Sequence, residues 1–167
     1  MNVFEAIRTK RAVRSYTDQS VPEDHLHQIL EAGRHAQSSM NRQPWTFLVI
    51  RDREMLKKLS ECGTYAGPLS GAAFGIALVS SDGWPFDIGQ AAAYLQLAAL
   101  ELGVSSCLVW LGEAEKAKTL LGIPADRYLE MAIAFGYAAQ PSPAKPKPGG
   151  RRPFDEVVRW EHYTLLE

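Results

Sequence analysis

Long apolar runs are missing from this chain. No stretch approaches the ~20 residues that cross a bilayer, and the first twenty residues, MNVFEAIRTKRAVRSYTDQS, lack the apolar centre of a secretory signal. Cysteine is scarce: Cys62 and Cys107 stand in unrelated contexts and make neither a disulfide framework nor a metal site. Histidine does not cluster either. His25 and His27 are two apart on an expected helix and so diverge, His35 stands alone, and His162 falls near the end. No metal is expected. Neither GxGxxG nor GxxxxGKS/T occurs, which argues against a Rossmann or P-loop nucleotide site. Net charge is only −1, so nothing global recruits nucleic acid. Together these absences predict a cytoplasmic protein that binds neither nucleic acid nor membrane.

What is present fits one ordinary domain over 1–167. With 46% hydrophobic and 22% charged residues, disorder is a poor reading, and a chain this long buries roughly 70% of its unfolded surface. Residues 2–9 read as a short helix. Pro22 suits a first helical position, ahead of the apolar stripe Leu26, Ile29 and Leu30. TFLVI (46–50), FGIALVS (74–80), SCLVW (106–110) and YLEMAIAFGY (128–137) read as buried strands. Asp52 opens one helix, and Glu113 to Leu121 forms another that Gly122 closes. Asp87, with Gln90 three residues on, reads as the cap of a long helix that is apolar on all faces through Leu102. A helix of that kind hints at cover from a second subunit. Strands separated by helices indicate a layered α/β or α+β fold. Half of the ten prolines fall between Pro141 and Pro153, so 141–153 should run extended. Residues 154–167 then form a C-terminal extension that packs on its own domain or reaches a neighbour.

Two segments carry chemistry. TKRAVRSY (9–16) places Lys10, Arg11 and Arg14 within five residues, a receiver for a phosphate. A second basic cluster, Lys145, Lys147, Arg151 and Arg152, lies near the other end, so one compact anion could be gripped from two sides. QSSMNRQPWTF (37–47) offers Ser38, Ser39, Asn41 and Gln43, hydroxyls and amides that suit the mixed donor and acceptor edge of a heterocycle. Each segment alone also reads as an ordinary solvated loop. Trp45 and Trp110 could stack on a ring, or be core.

In combination, KRAVRSY, then NRQPWTF, then an Ala-rich helix after Asp87, then LLGIP and a late RRP resemble the nitroreductase family over nearly the whole chain. The resemblance implies an α+β three-layer fold, a mostly antiparallel central sheet flanked by helices. It also implies an obligate homodimer whose C-terminal tail reaches the partner, with FMN held at the subunit interface. The implied activity is ping-pong transfer of hydride from NADH or NADPH to a small electron-poor acceptor: a nitroaromatic, a quinone or a flavin. By position, Lys10 and Arg11 would grip the FMN phosphate, and Arg14 would lie by the pyrimidine edge. Ser38, Ser39, Asn41 and Gln43 would reach the flavin of the partner subunit. Arg151 and Arg152 would close on the phosphate, and Trp110, Leu111 and Gly112 would offer backbone groups near the reactive nitrogen. No protein acid or base is implied as a catalytic centrepiece. Ala12 stands where many members have a phosphate-binding serine, a loss of about 1 kcal/mol. Gln37 replaces a usual proline. The stretch from Lys57 to Asp87 is too short for the helices that roof the pocket in larger members. Rival readings are an FMN store or redox sensor, a relative using reduced flavin for dehalogenation or flavin fragmentation, and a cofactor-free interaction module.

Overall fold

A computed structural model describes residues 1–83, 85–140 and 150–163. Helix α1 (Val3–Thr9) starts at Asn2, whose side chain accepts the Glu5 N–H at 2.9 Å. It buries none of its residues, and Val3, Phe4 and Ile7 stay exposed, Phe4 at 78%. Helix α2 (Glu23–Arg34) turns Leu26, Ile29 and Gly33 inward. Pro22 caps it from outside and is not its first helical residue. Strand β1 (Trp45–Ile50) leads into α3 (Arg53–Ser60), where Asp52 caps by accepting the Met55 N–H at 2.7 Å. Next come β2 (Phe74–Ser80), α4 (Pro85–Glu101), β3 (Ser105–Trp110), α5 (Ala114–Leu121), β4 (Tyr128–Gly136) and the short α6 (Phe154–Val157). Gly122, at φ +65°, ends α5 in the left-handed conformation that glycine adopts without penalty.

The sheet order is β1-β2-β4-β3, and every neighbouring pair is antiparallel. Two-residue periodicity sorts the side chains into two cores. Ala77, Val79, Cys107, Val109, Ala132 and Ala134 face Leu56 and Leu59 of α3 and Ala117 of α5. Phe74, Ile76, Leu78, Ile133 and Phe135 face Leu26 and Ile29 of α2 and Ala92, Leu95 and Ala99 of α4. The fold is therefore α+β in three layers. Strand β2 is buried throughout because helices cover both its faces. Helices α2 and α4 meet at Gly33, where a Cβ would sit 2.6 Å from the Leu95 side chain.

Helix α4 differs from its sequence reading at its start. It begins at Pro85, so Asp87 lies inside the first turn and caps nothing. Its carboxylate is 4% exposed and accepts the N–H of Ser39, 48 residues earlier in the chain, which no local rule could show. The helix is also not covered on all sides. Asp87, Ala91, Ala92, Leu95 and Ala99 are buried, whereas Phe86, Ala93 and Tyr94 face outward. Residues 141–149 lie outside the described residues, and with them most of the Pro-rich segment, Lys145 and Lys147. The same holds for Trp84 and for 164–167 of the C-terminal extension. Among the described residues, no helix is long and apolar enough to cross a membrane.

Candidate functional site

The basic loop leaves α1 at Lys10, whose N–H closes the helix on the Ala6 carbonyl at 2.9 Å. It then runs across one end of the sheet. Ala12 bridges Ser106 in parallel, and the Val13 N–H donates to the Ser106 carbonyl at 3.1 Å. Further on, Thr17 N–H donates to Tyr137 O at 2.8 Å, and Ala139 N–H to Ser15 O at 3.0 Å. Tyr16 pins the turn from below, its hydroxyl 2.6 Å from Val13 O and 3.1 Å from Ala134 O. Burial pushes that phenol well above its ordinary pKa.

So anchored, Lys10 and Arg11 line a recess of about 70 Å³ with Thr9, Gln96, Ser105 and Ser106. Gln96 Nε2 donates to the buried Ser106 Oγ at 3.3 Å. Burial pushes the Lys10 ammonium below its usual pKa; the Cys107 thiol opposes that shift and Arg14 adds to it. Arg11 donates to the carbonyls of Arg8 and Lys10 at 2.7 and 2.9 Å. Among the described residues, no carboxylate forms an ion pair with Lys10, Arg11 or Arg14. Three cations, with hydroxyls and an amide beside them and no acid to neutralise them, form a donor set that fits a phosphate. The recess is far smaller than the roughly 300 Å³ that encloses a drug-sized ligand. It has room for a phosphate group and not for a tricyclic ring.

Ser38–Gln43 is built differently. Ser38 Oγ accepts the Gln43 N–H at 2.9 Å, and Gln43 Nε2 reaches Asn41 O at 3.3 Å. Met40, Asn41 and Gln43 hold φ values of 51°, 55° and 49°. Left-handed backbone costs a non-glycine residue about 1–2 kcal/mol, and such strain concentrates at ligand sites. Only Asp87, through Ser39, ties this loop by a hydrogen bond to another element among the described residues. The loop enters β1, one edge of the sheet, whereas the basic loop lies on β3, the other edge. Three strand spacings separate the edges, about 14 Å. One chain does not bring the two loops together.

Trp110, Leu111 and Gly112 leave the far end of β3. Trp110 is 53% exposed and Leu111 is buried, its N–H bonded to Glu130 O at 2.8 Å. Sequence reasoning missed Gly63, whose backbone presses against this exit: a Cβ there would lie 2.7 Å from both Gly112 N and Trp110 O. Its one signal was a glycine next to the buried Cys62. Arg151 and Arg152 are exposed. Arg152 pairs with Glu156 at 3.2 Å, and neither arginine bonds to the Lys10 loop within one chain. An open recess of about 540 Å³ between α2 and β1 touches the expected site only at Gln43. Lys10 and Arg11 line a different recess.

The family model described as Nitroreductase family matches residues 7–64 and 78–137. The chain belongs to the nitroreductase family. The matched spans contain both loops and the β3 exit, and they leave out 65–77, inside the stretch too short for roofing helices. An Archaeoglobus fulgidus protein, provisionally named an NADH dehydrogenase/NAD(P)H nitroreductase, is 38% identical over 148 residues, 80% of this chain and 84% of that protein. A Methanothermobacter thermautotrophicus protein of the same name is 33% identical over 168 residues, 93% of this chain and 84% of that one. Among solved structures, an FMN-dependent nitroreductase from Clostridium difficile superposes with a TM-score of 0.87 at 27% identity, covering 96% of this chain and all of the other.

Proposed function

We propose that this nitroreductase-family chain is an FMN-dependent oxidoreductase that takes hydride from NADH or NADPH and passes it to an electron-poor acceptor, and that it works as a homodimer with FMN between the subunits. The observation that carries the reading is the cationic recess on one sheet edge, with no carboxylate partner among the described residues, and the strained polar loop on the opposite edge. A single chain offers a phosphate site without a ring site. A second copy, related by a two-fold axis, would bring its Ser38–Gln43 to the first copy's cations. Uncovered apolar side chains on α1 and α4 supply surface for that contact.

When bound, FMN would supply the hydride chemistry between nicotinamide and acceptor. The chain's own residues bind and orient. Lys10 and Arg11, with Arg151 and Arg152, hold the phosphate, and Arg14 supplies a permanent positive charge beside the ring. Ser38, Ser39, Asn41 and Gln43 read its polar edge, and the Trp110–Gly112 backbone bounds it. The acceptor class in this reading is a nitroaromatic, a quinone or a flavin, which the nitroreductase names of the relatives support for the first, and the full 1–167 span acts as one domain. The test is a visible absorption spectrum of the purified protein, before and after anaerobic addition of NADH or NADPH. Flavin bands that bleach are expected, with Lys10→Ala plus Arg151→Ala giving folded, colourless protein. A wild-type protein without flavin bands contradicts the reading, and bands that never bleach contradict turnover.

A further inference from the structure

Asp87 is one of the few buried charged side chains described, and the binding roles above do not use it. It lies in the first turn of the seventeen-residue helix α4, where the helix dipole favours a carboxylate. Its Oδ2 accepts the Ser39 N–H at 3.0 Å. Downstream of that bond stand Met40, Asn41 and Gln43, all left-handed and none a glycine. The loop's other hydrogen bonds are internal: Ser38 to Gln43, Gln43 to Asn41, Asn41 N–H to Ser38 O, and Arg42 N–H to Ser39 O. Internal bonds shape a loop but do not orient it on the fold. A strained loop persists only when its surroundings over-determine it. Here that constraint enters through Asp87.

We infer that Asp87 is a positioning residue: its carboxylate holds the Ser39 N–H and thereby presents Ser38–Gln43 in the shape that meets the flavin. This rests on the proposed flavin site. Two further features favour a functional over a purely structural role. The acceptor is charged, roughly twice as strong as a neutral one, yet the group it holds is the backbone of an exposed residue, where water would serve a loop with no task. It is also spent on the one segment here with three strained residues in four.

The test compares FMN release, read as flavin fluorescence on dilution of the purified holoprotein, in wild type, Asp87→Ala, Asp87→Asn and Ser39→Pro. Asn keeps a neutral acceptor; Ala removes it; Pro removes the donor and leaves Asp87 in place, with Ser39→Ala, which keeps the N–H, as the control for the lost hydroxyl. Asp87→Ala and Ser39→Pro are expected to weaken FMN binding about tenfold or more, with flavin bands shifted toward those of free FMN, while Asp87→Asn stays within about threefold. A structural Asp87 would lower the melting temperature of the Ala variant and leave the affinity of the folded protein alone, which overturns the proposal. Should Asp87→Ala fail to fold, wild-type affinity in Ser39→Pro overturns it equally. Asparagine as damaging as alanine overturns the acceptor role. Colourless wild-type protein would instead sink the flavin site itself, an outcome separable from all of these.

Discussion

Lys10 is held partly away from water, so the neutral amine gains relative to the ammonium and its pKa falls below 10.5. Between the lowered value and 10.5 the folded chain binds fewer protons than the unfolded chain. The group therefore adds stability above 10.5 that is lost as pH falls through its folded value. A phosphate against the ammonium reverses the preference. FMN binding measured by calorimetry near pH ~9.5, in two buffers of different ionisation enthalpy, should show net proton uptake that Lys10→Ala reduces. Equal uptake in both proteins would contradict a phosphate at Lys10. Gly63 makes a second prediction. Its missing Cβ would meet two backbone atoms at 2.7 Å, and backbone cannot rotate aside as a side chain can. Gly63→Ala should cost about 1–3 kcal/mol, read as a lower melting temperature. A variant as stable as wild type would show that the 61–66 turn yields freely.

Helix α4 joins the two proposed half-sites of one chain. Asp87 in its first turn holds the polar loop, and Gln96, nine residues on, bonds to Ser106 beside the cations. Its buried side packs on α2, and its other side leaves Tyr94 40% exposed. Tyr94→Glu should leave the single chain folded, by circular dichroism, while abolishing both dimer and flavin retention, by gel filtration. A yellow dimer carrying that glutamate would move the interface elsewhere. The elements themselves were legible where chemistry is local. TFLVI and FGIALVS had to be strands, and Gly122 had to end a helix. Asp87 was misread because its partner is 48 residues away, and of the left-handed residues at 40, 41 and 43 only Asn41 is of a type that favours such backbone. Lys10, Arg11 and Arg14 were singled out because three cations in five residues stand out. Gly63 was not, since close backbone approach becomes visible only in three dimensions. The exposed side of α4 was legible only as an excess of apolar residues, without the face it would occupy.

For the whole molecule, the strand order β1-β2-β4-β3 decides the outcome, and neither sequence segment reveals it. That order sends the basic loop and the Ser38–Gln43 loop to opposite edges, so each proposed flavin site would draw on both chains. It also leaves Leu108 and Trp110 of β3 outward on the same side as α4, near Phe86 and Tyr94 in layer if not in sequence. Val3, Phe4 and Ile7 of α1 are exposed as well, and together these side chains supply apolar surface for a second subunit. Sedimentation velocity of the purified protein, followed at once by protein and by visible flavin absorbance, tests this most directly. We predict a single boundary at twice the 18.5 kDa chain mass, carrying one flavin per chain. Flavin sedimenting with an 18.5 kDa species, or a dimer that carries none, would contradict a site shared between two subunits.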